Sequence, residues 1–229
     1  MTETIAPLTA ITDTIAYLDV LGVDVEPAVR LRARRLAVKA VDLSAVNAFY
    51  HNEITEAMIT YFEGGIVTGP RNRFRVATTE AFYDAFYAGW QAGGGGTPDQ
   101  KGLDWLVARV NQEYGYIDML FLQIKEMRKE QDQDFLAWVS DRADGYTRTL
   151  KEIYNTGYAM SSRDIMVTFA GDDGKKSCPD CKKYKGQRHR LSWFVRRNAV
   201  PPFGSGLACH KGGQCLHYLQ DDSGKQVTA

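Results

Sequence analysis

The chain has 229 residues, 44 % of them hydrophobic, with 28 Lys plus Arg balanced by 28 Asp plus Glu. A zero formal net charge excludes a grip on nucleic acid by the protein as a whole. No run of apolar residues is long enough to span a bilayer, and the Met1-Thr-Glu-Thr start lacks the basic-then-apolar pattern of an export signal, so the expected setting is a reducing cytoplasm.

Residues 5–21 read as a short helix, with Leu8, Ile11, Ile15 and Leu18 at spacings of three and four and Gly22 as the stop. A second helix is expected from Glu26-Pro27, with Val29, Ala33, Leu36, Ala40 and Leu43 on one side. Arg30, Arg32, Arg34, Arg35 and Lys39 surround that stripe and suit a solvated face better than a binding surface. Ser44 is the expected cap of the next helix, through Phe49, Ile54, Met58 and Phe62, and Gly64-Gly65 and Gly69-Pro70 interrupt the pattern. A helix over 78–92 follows, capped by Thr78 or Thr79, with Phe82, Phe86 and Trp90 as core. Gly93 to Gly96 lack the following Gly-Lys-Ser/Thr and the preceding strand of a phosphate loop, and read as a flexible connection.

From Leu103 to Met160 the signal is helical, with a polar interval over 129–134. Gly145 and Gly157 weaken it locally and offer places where another backbone can come close. The period then changes to two. Ile165, Val167 and Phe169 alternate in a β-rich stretch, Leu191 to Arg197 suit a short helix with Ser192 as cap, and Leu216 to Leu219 suit a short strand.

All four cysteines lie in the last quarter, as Cys178-Pro-Asp-Cys181 and as Cys209-His-Lys-Gly-Gly-Gln-Cys215-Leu-His217. A Cys-x-x-Cys turn aims two thiolates at one point, and a second pair completes the tetrahedron that Zn²⁺ accepts. Disulfides suit small secreted domains, and a redox Cys-x-x-Cys belongs in a βαβ setting; neither fits here as well as a structural zinc site. Cys178, Cys181 and Cys215 come first as ligands. The fourth is Cys209 or His217, and His210 could replace Cys209; the preferred set is the four cysteines, with His217 in reserve.

Nine Lys or Arg and one acid, Asp180, lie between Lys175 and Arg197. Lys182, Lys183, Lys185, Arg188 and Arg190, with Tyr184, Trp193 and Phe194 among them, are candidate nucleic-acid contacts. No nucleophile–base pair and no His-Glu-x-x-His is present, so an enzyme is not expected. The fold class expected is mainly α with a small C-terminal α+β zinc-binding appendage: a helical body over 1–160, the appendage over 161–220 and a disordered tail over 221–229.

The C-terminal third resembles the phage head-morphogenesis family of Mu-type minor head proteins. The likeness rests on Arg142 and Asn155 on a long helix, a short strand, Asp172 or Asp173 ahead of Cys178-Pro179-Asp180-Cys181, then Gly186, Pro201-Pro202 and the Cys209–His217 end. Where that family closes on Cys-Arg-Cys this chain has Cys215-Leu-His217, and Gly212 stands in the place of the family's His. If the family's last cysteine is a ligand, the resemblance makes His217 its stand-in and leaves Cys209 spare. It also implies a virion protein of the head or portal vertex, made in the host cytoplasm. Its partners would be portal or capsid proteins within a larger assembly, with non-specific DNA as a further contact and no membrane.

Overall fold

The computed structural model describes residues 42–172, 177–202, 204, 206–211 and 215–228. The two helices expected before residue 42, with their basic residues, lie outside the described residues. Those described belong to one compact unit, Val41–Ala229, which is mainly helical with a small antiparallel sheet.

Among the described residues four helices make the body: α1 Leu43–Gly64, α2 Thr68–Ala92, α3 Gln100–Glu130 and α4 Phe135–Ser161. Asp42, not Ser44, caps α1, because its carboxylate accepts the otherwise unpaired N–H of Ser44 at 2.9 Å. At the other end Gly65 takes φ 71°, a left-handed conformation that glycine adopts without steric cost. Helix α2 begins at Thr68, well before the expected start at 78. Pro70 sits in its first turn, where a missing N–H costs nothing, so Gly69-Pro70 opens a helix instead of breaking one. Thr78 lies inside that helix, where its hydroxyl donates to the Phe74 carbonyl at 2.9 Å.

Cross-helix contacts give the order. Tyr50 meets Thr78, Thr79 meets Tyr114, Arg109 meets Glu152, and Phe62 stacks on Phe135. Consecutive helices therefore run antiparallel, up-down-up-down. Phe74, Phe82, Phe86, Ile54, Leu106, Ile117 and Leu150 are fully buried between them, each contributing about 1.5–3 kcal/mol by leaving water. Helices α2 and α4 pack backbone to backbone. A Cβ at Gly89 would overlap the Tyr154 carbonyl, and one at Gly157 would overlap that of Phe86. Of the two glycines expected to admit a neighbour, Gly157 does so; nothing crowds Gly145. In the glycine run after α2, Gly93 packs against Ser161 and Tyr158 and Gly95 against the Trp90 indole, while Gly94 and Gly96 face open space.

The polar interval around Gln131 separates α3 from α4, with Gln131 at φ 53° closing α3. After α4 come β1 Met166–Gly171, α5 Pro179–Tyr184, β2 Arg188–Arg190, α6 Leu191–Val195, a 3-10 turn Ala208–Lys211 and β3 His217–Gln220. The sheet order is β2-β1-β3, with Val167 opposite His189 and Phe169 opposite Leu219. Alternation puts Val167 and Phe169 on one face, where they form a second core with Leu191, Phe194, Leu207, Leu219 and the cysteines Cys181 and Cys209. Ala159 of α4 shares this core, and Asn155 of α4 donates to the Pro201 carbonyl at 3.4 Å.

The expected disordered tail is not what the structure has. Asp221 organises a turn through the N–H groups of Ser223 and Lys225, Val227 donates to the Leu219 carbonyl at 2.7 Å, and Thr228 is buried. Backbone groups that β3 would leave unpaired are satisfied by this return. Ser192 does not cap α6 either. It lies within the helix, and the Asp164 carboxylate accepts from both its N–H and its hydroxyl.

Candidate metal centre

Three short elements deliver the donors. Cys178 occupies the cap position of α5, and its Sγ accepts the Cys181 N–H at 3.3 Å. Pro179, fixed at a helical φ, starts the turn that brings Cys181 back beneath Cys178. Cys209 comes from the 3-10 turn, Cys215 from the approach to β3, and His217 from the first position of β3. Gly171 of β1 faces His217, and a side chain there would run into the Leu216 carbonyl and the His217 backbone.

The donor atoms form two groups that share Cys181. Cys178, Cys181 and Cys209 lie within 4.8 Å of one another, and so do Cys181, Cys215 and His217. Cys181 Sγ is 3.7 Å from Cys209 Sγ and 3.7 Å from Cys215 Sγ. A disulfide would need about 2.05 Å, and all four cysteines are free. Tetrahedral thiolates about 2.3 Å from a metal ion stand about 3.8 Å apart. The sulfur spacing thus fits a bound ion. Cys178, Cys181, Cys209 and Cys215 would hold it, with His217 as a fifth donor beside Cys181 and Cys215. An ion there would cross-link α5, the 3-10 turn and the start of β3.

Crowding also sets the protonation of the thiols. Hydrogen bonds with Cys209 and Cys215, then burial, push the Cys181 thiol far above its ordinary range. For Cys209 the bond with Cys181 lowers the pKa, but the bond with Cys215, burial and the charges of Cys215 and Cys178 prevail, and it is pushed up to about 12. Thiols crowded in this way stay protonated unless a cation compensates them. One carboxylate serves the frame: Asp180 Oδ2 accepts the Ala208 N–H at 2.8 Å, joining the two cysteine-bearing turns. Between Cys178 and Cys181 Asp180 reads as a turn residue, and nothing in the sequence marks the partner across the fold.

Of the five basic candidates, Lys182, Lys183, Lys185, Arg188 and Arg190 are all exposed. Arg188 is held by Asp222 at 2.7 Å, and Arg190 donates to the Asp164 carbonyl at 2.8 Å. Lys182 and Lys183 form no ion pair among the described residues. Arg142, one of the residues carrying the family resemblance, lies 5.3 Å over the Trp138 ring. Its companion Asn155 is buried at the junction between body and appendage. Among the described residues no helix is long and apolar enough to cross a membrane. No protein-family model, curated protein or solved structure matches this chain.

Proposed function

We propose that the protein is a structural assembly component: a helical bundle with a zinc-stabilised β appendage that docks on other protein subunits. The observation that carries this reading is an apolar stripe on α3 that stays exposed among the described residues. Tyr116, Met119 and Leu122 recur every third residue and are 46, 60 and 55 % exposed. Apolar surface grouped on one helix face suits a partner subunit. Of the other segments rich in large apolar residues, Phe82, Phe86, Trp90 and Phe194 are buried in the two cores. Such side chains are therefore outside the proposed partner surface.

Zinc is the ion we infer for the site, because a donor set of four cysteines and one histidine suits its preference for sulfur and nitrogen ligands in closed, four-coordinate structural sites. A closed site of this kind stabilises a fold and does not catalyse, which supports a non-enzymatic role. The resemblance of the C-terminal third to phage minor head proteins supplies the proposed neighbours, portal or capsid subunits, and a place in the virion head or at its portal vertex. Light scattering on the purified protein, alone and mixed with candidate head proteins, tests the reading. Association that is lost in Met119→Lys/Leu122→Lys supports it. A monomer that binds no head component contradicts it.

A further inference from the structure

The appendage carries a second surface that the assembly reading does not use. Trp193 of α6 stacks on His189 of β2 with ring centroids 3.8 Å apart and planes 9° apart. The Arg197 guanidinium lies 3.9 Å from the centre of the same indole. Two groups this close to one ring centre would collide on a single face, so His189 and Arg197 cover opposite faces. The guanidinium is thereby held at the surface by its ring and by the Trp193 carbonyl, to which it donates at 3.5 Å. Tyr184 meets the edge of Trp193 at 5.9 Å and brings α5, with Lys182 and Lys183 in its last turn, beside the stack. Lys182, Lys183, Arg196 and Arg197 are exposed, and none has a carboxylate partner among the described residues. Nearby acids are engaged elsewhere, Asp180 with Ala208 and Asp164 with Ser192.

We propose that this face binds the sugar–phosphate backbone of DNA without reading its bases. Lysine and arginine heads free of carboxylates recognise phosphate oxygens. A guanidinium already fixed on a ring loses little further freedom on binding. Both faces of Trp193 are occupied, so base stacking on that ring is closed off and sequence preference with it. An acidic protein is the less suitable partner. Protein interfaces bury apolar anchors at a centre depleted of charge, whereas here the aromatic rings are spent on each other and lysines lie exposed beside them. Arg188, one of the five candidates read from the sequence, is excluded from the contact set because Asp222 neutralises it.

The test is fluorescence anisotropy with a labelled DNA duplex of mixed sequence and the full, zinc-loaded chain, titrated across salt. Lys182→Ala/Lys183→Ala and, separately, Arg197→Ala should each weaken binding about tenfold at low salt. The three changes combined should reduce the slope of log affinity against log salt by about 2 to 3. Arg188→Ala should bind as the parent does. Metal content and circular dichroism of each variant show whether it is folded. The proposal is overturned if the parent does not bind at low salt, if folded variants bind equally well, or if one sequence is preferred. Displacement of the duplex by polyglutamate as readily as by unlabelled DNA would assign the face to acidic protein instead.

Discussion

Asp180 Oδ2 lies 2.8 Å from the backbone nitrogen of Ala208 and ties the first cysteine turn to the second without using a cysteine. This bond sets the distance between Cys181 and Cys209 before any ion is present. Groups that orient metal ligands in this way typically contribute 10–100-fold to affinity. Asp180→Ala should therefore retain the metal but bind it roughly tenfold or more weakly, read by competition with a chromophoric chelator. Unchanged affinity would leave Asp180 as a turn residue only.

Metal binding should release protons. Cys181 is held protonated in the metal-free chain by its bonds with Cys209 and Cys215 and by burial, and Cys209, despite the lowering effect of its bond with Cys181, by its bond with Cys215, burial and neighbouring thiolate charge. A raised thiol pKa means that the thiolate form needed by the ion must be made against protons, so affinity falls as pH falls. With four cysteine ligands, titration of zinc into weakly buffered reduced protein should release about four protons per ion near neutral pH. Release of two or fewer would mean that part of the set does not bind.

Close packing of α2 on α4 gives a pair of opposed predictions. Gly89→Ala drives a methyl into the Tyr154 carbonyl. Since backbone cannot turn aside as a side chain can, the cost should be about 1–3 kcal/mol or more. Gly145→Ala adds a methyl with only the flexible Arg148 guanidinium at 4.0 Å, and should stabilise α4 by roughly 0.5–1 kcal/mol through helix propensity. Urea denaturation of the two variants checks both signs.

Inside the bundle Arg109 bonds Glu113 at 2.6 Å and reaches Glu152 at 3.4 Å, and all three are buried. Burial alone would lower the Arg109 pKa, but the charges of Glu152 and Glu113 raise it, so the arginine stays charged. Removing it takes the guanidinium away from two buried carboxylates. Arg109→Met should cost about 3–5 kcal/mol, whereas replacing all three by apolar residues of similar size should be close to neutral. Chemical denaturation of the single and triple variants distinguishes a broken ion cluster from a lost packing volume.

How much of this was legible follows from what each residue answers to. The cysteine spacing announced the clustering of Cys178, Cys181, Cys209 and Cys215, because ligand geometry constrains neighbours along the chain as well as in space. Val167 and Phe169 announced β1 by their alternation. The α2 start at Thr68 was obscured because Gly-Pro is punctuation in a loop and an opening in a first turn, and only the Arg73–Glu53 bridge to α1 at 2.7 Å belongs to one reading. The tail misled in the same way. Polar residues from Asp221 onward look solvated until the exposed edge of β3 gives their backbone something to bond. Asp180 and Asp164 depend on contacts across the fold, and the His189–Trp193–Arg197 stack on the passage from β2 into α6.

The central claim is that the four cysteines close on one zinc ion. Elemental analysis of reduced, folded protein measures it most directly. About one zinc per chain is predicted, falling to near zero in Cys181→Ser, the cysteine common to both donor groups. Reduced protein that folds with its appendage protected from protease and contains no metal would contradict the account.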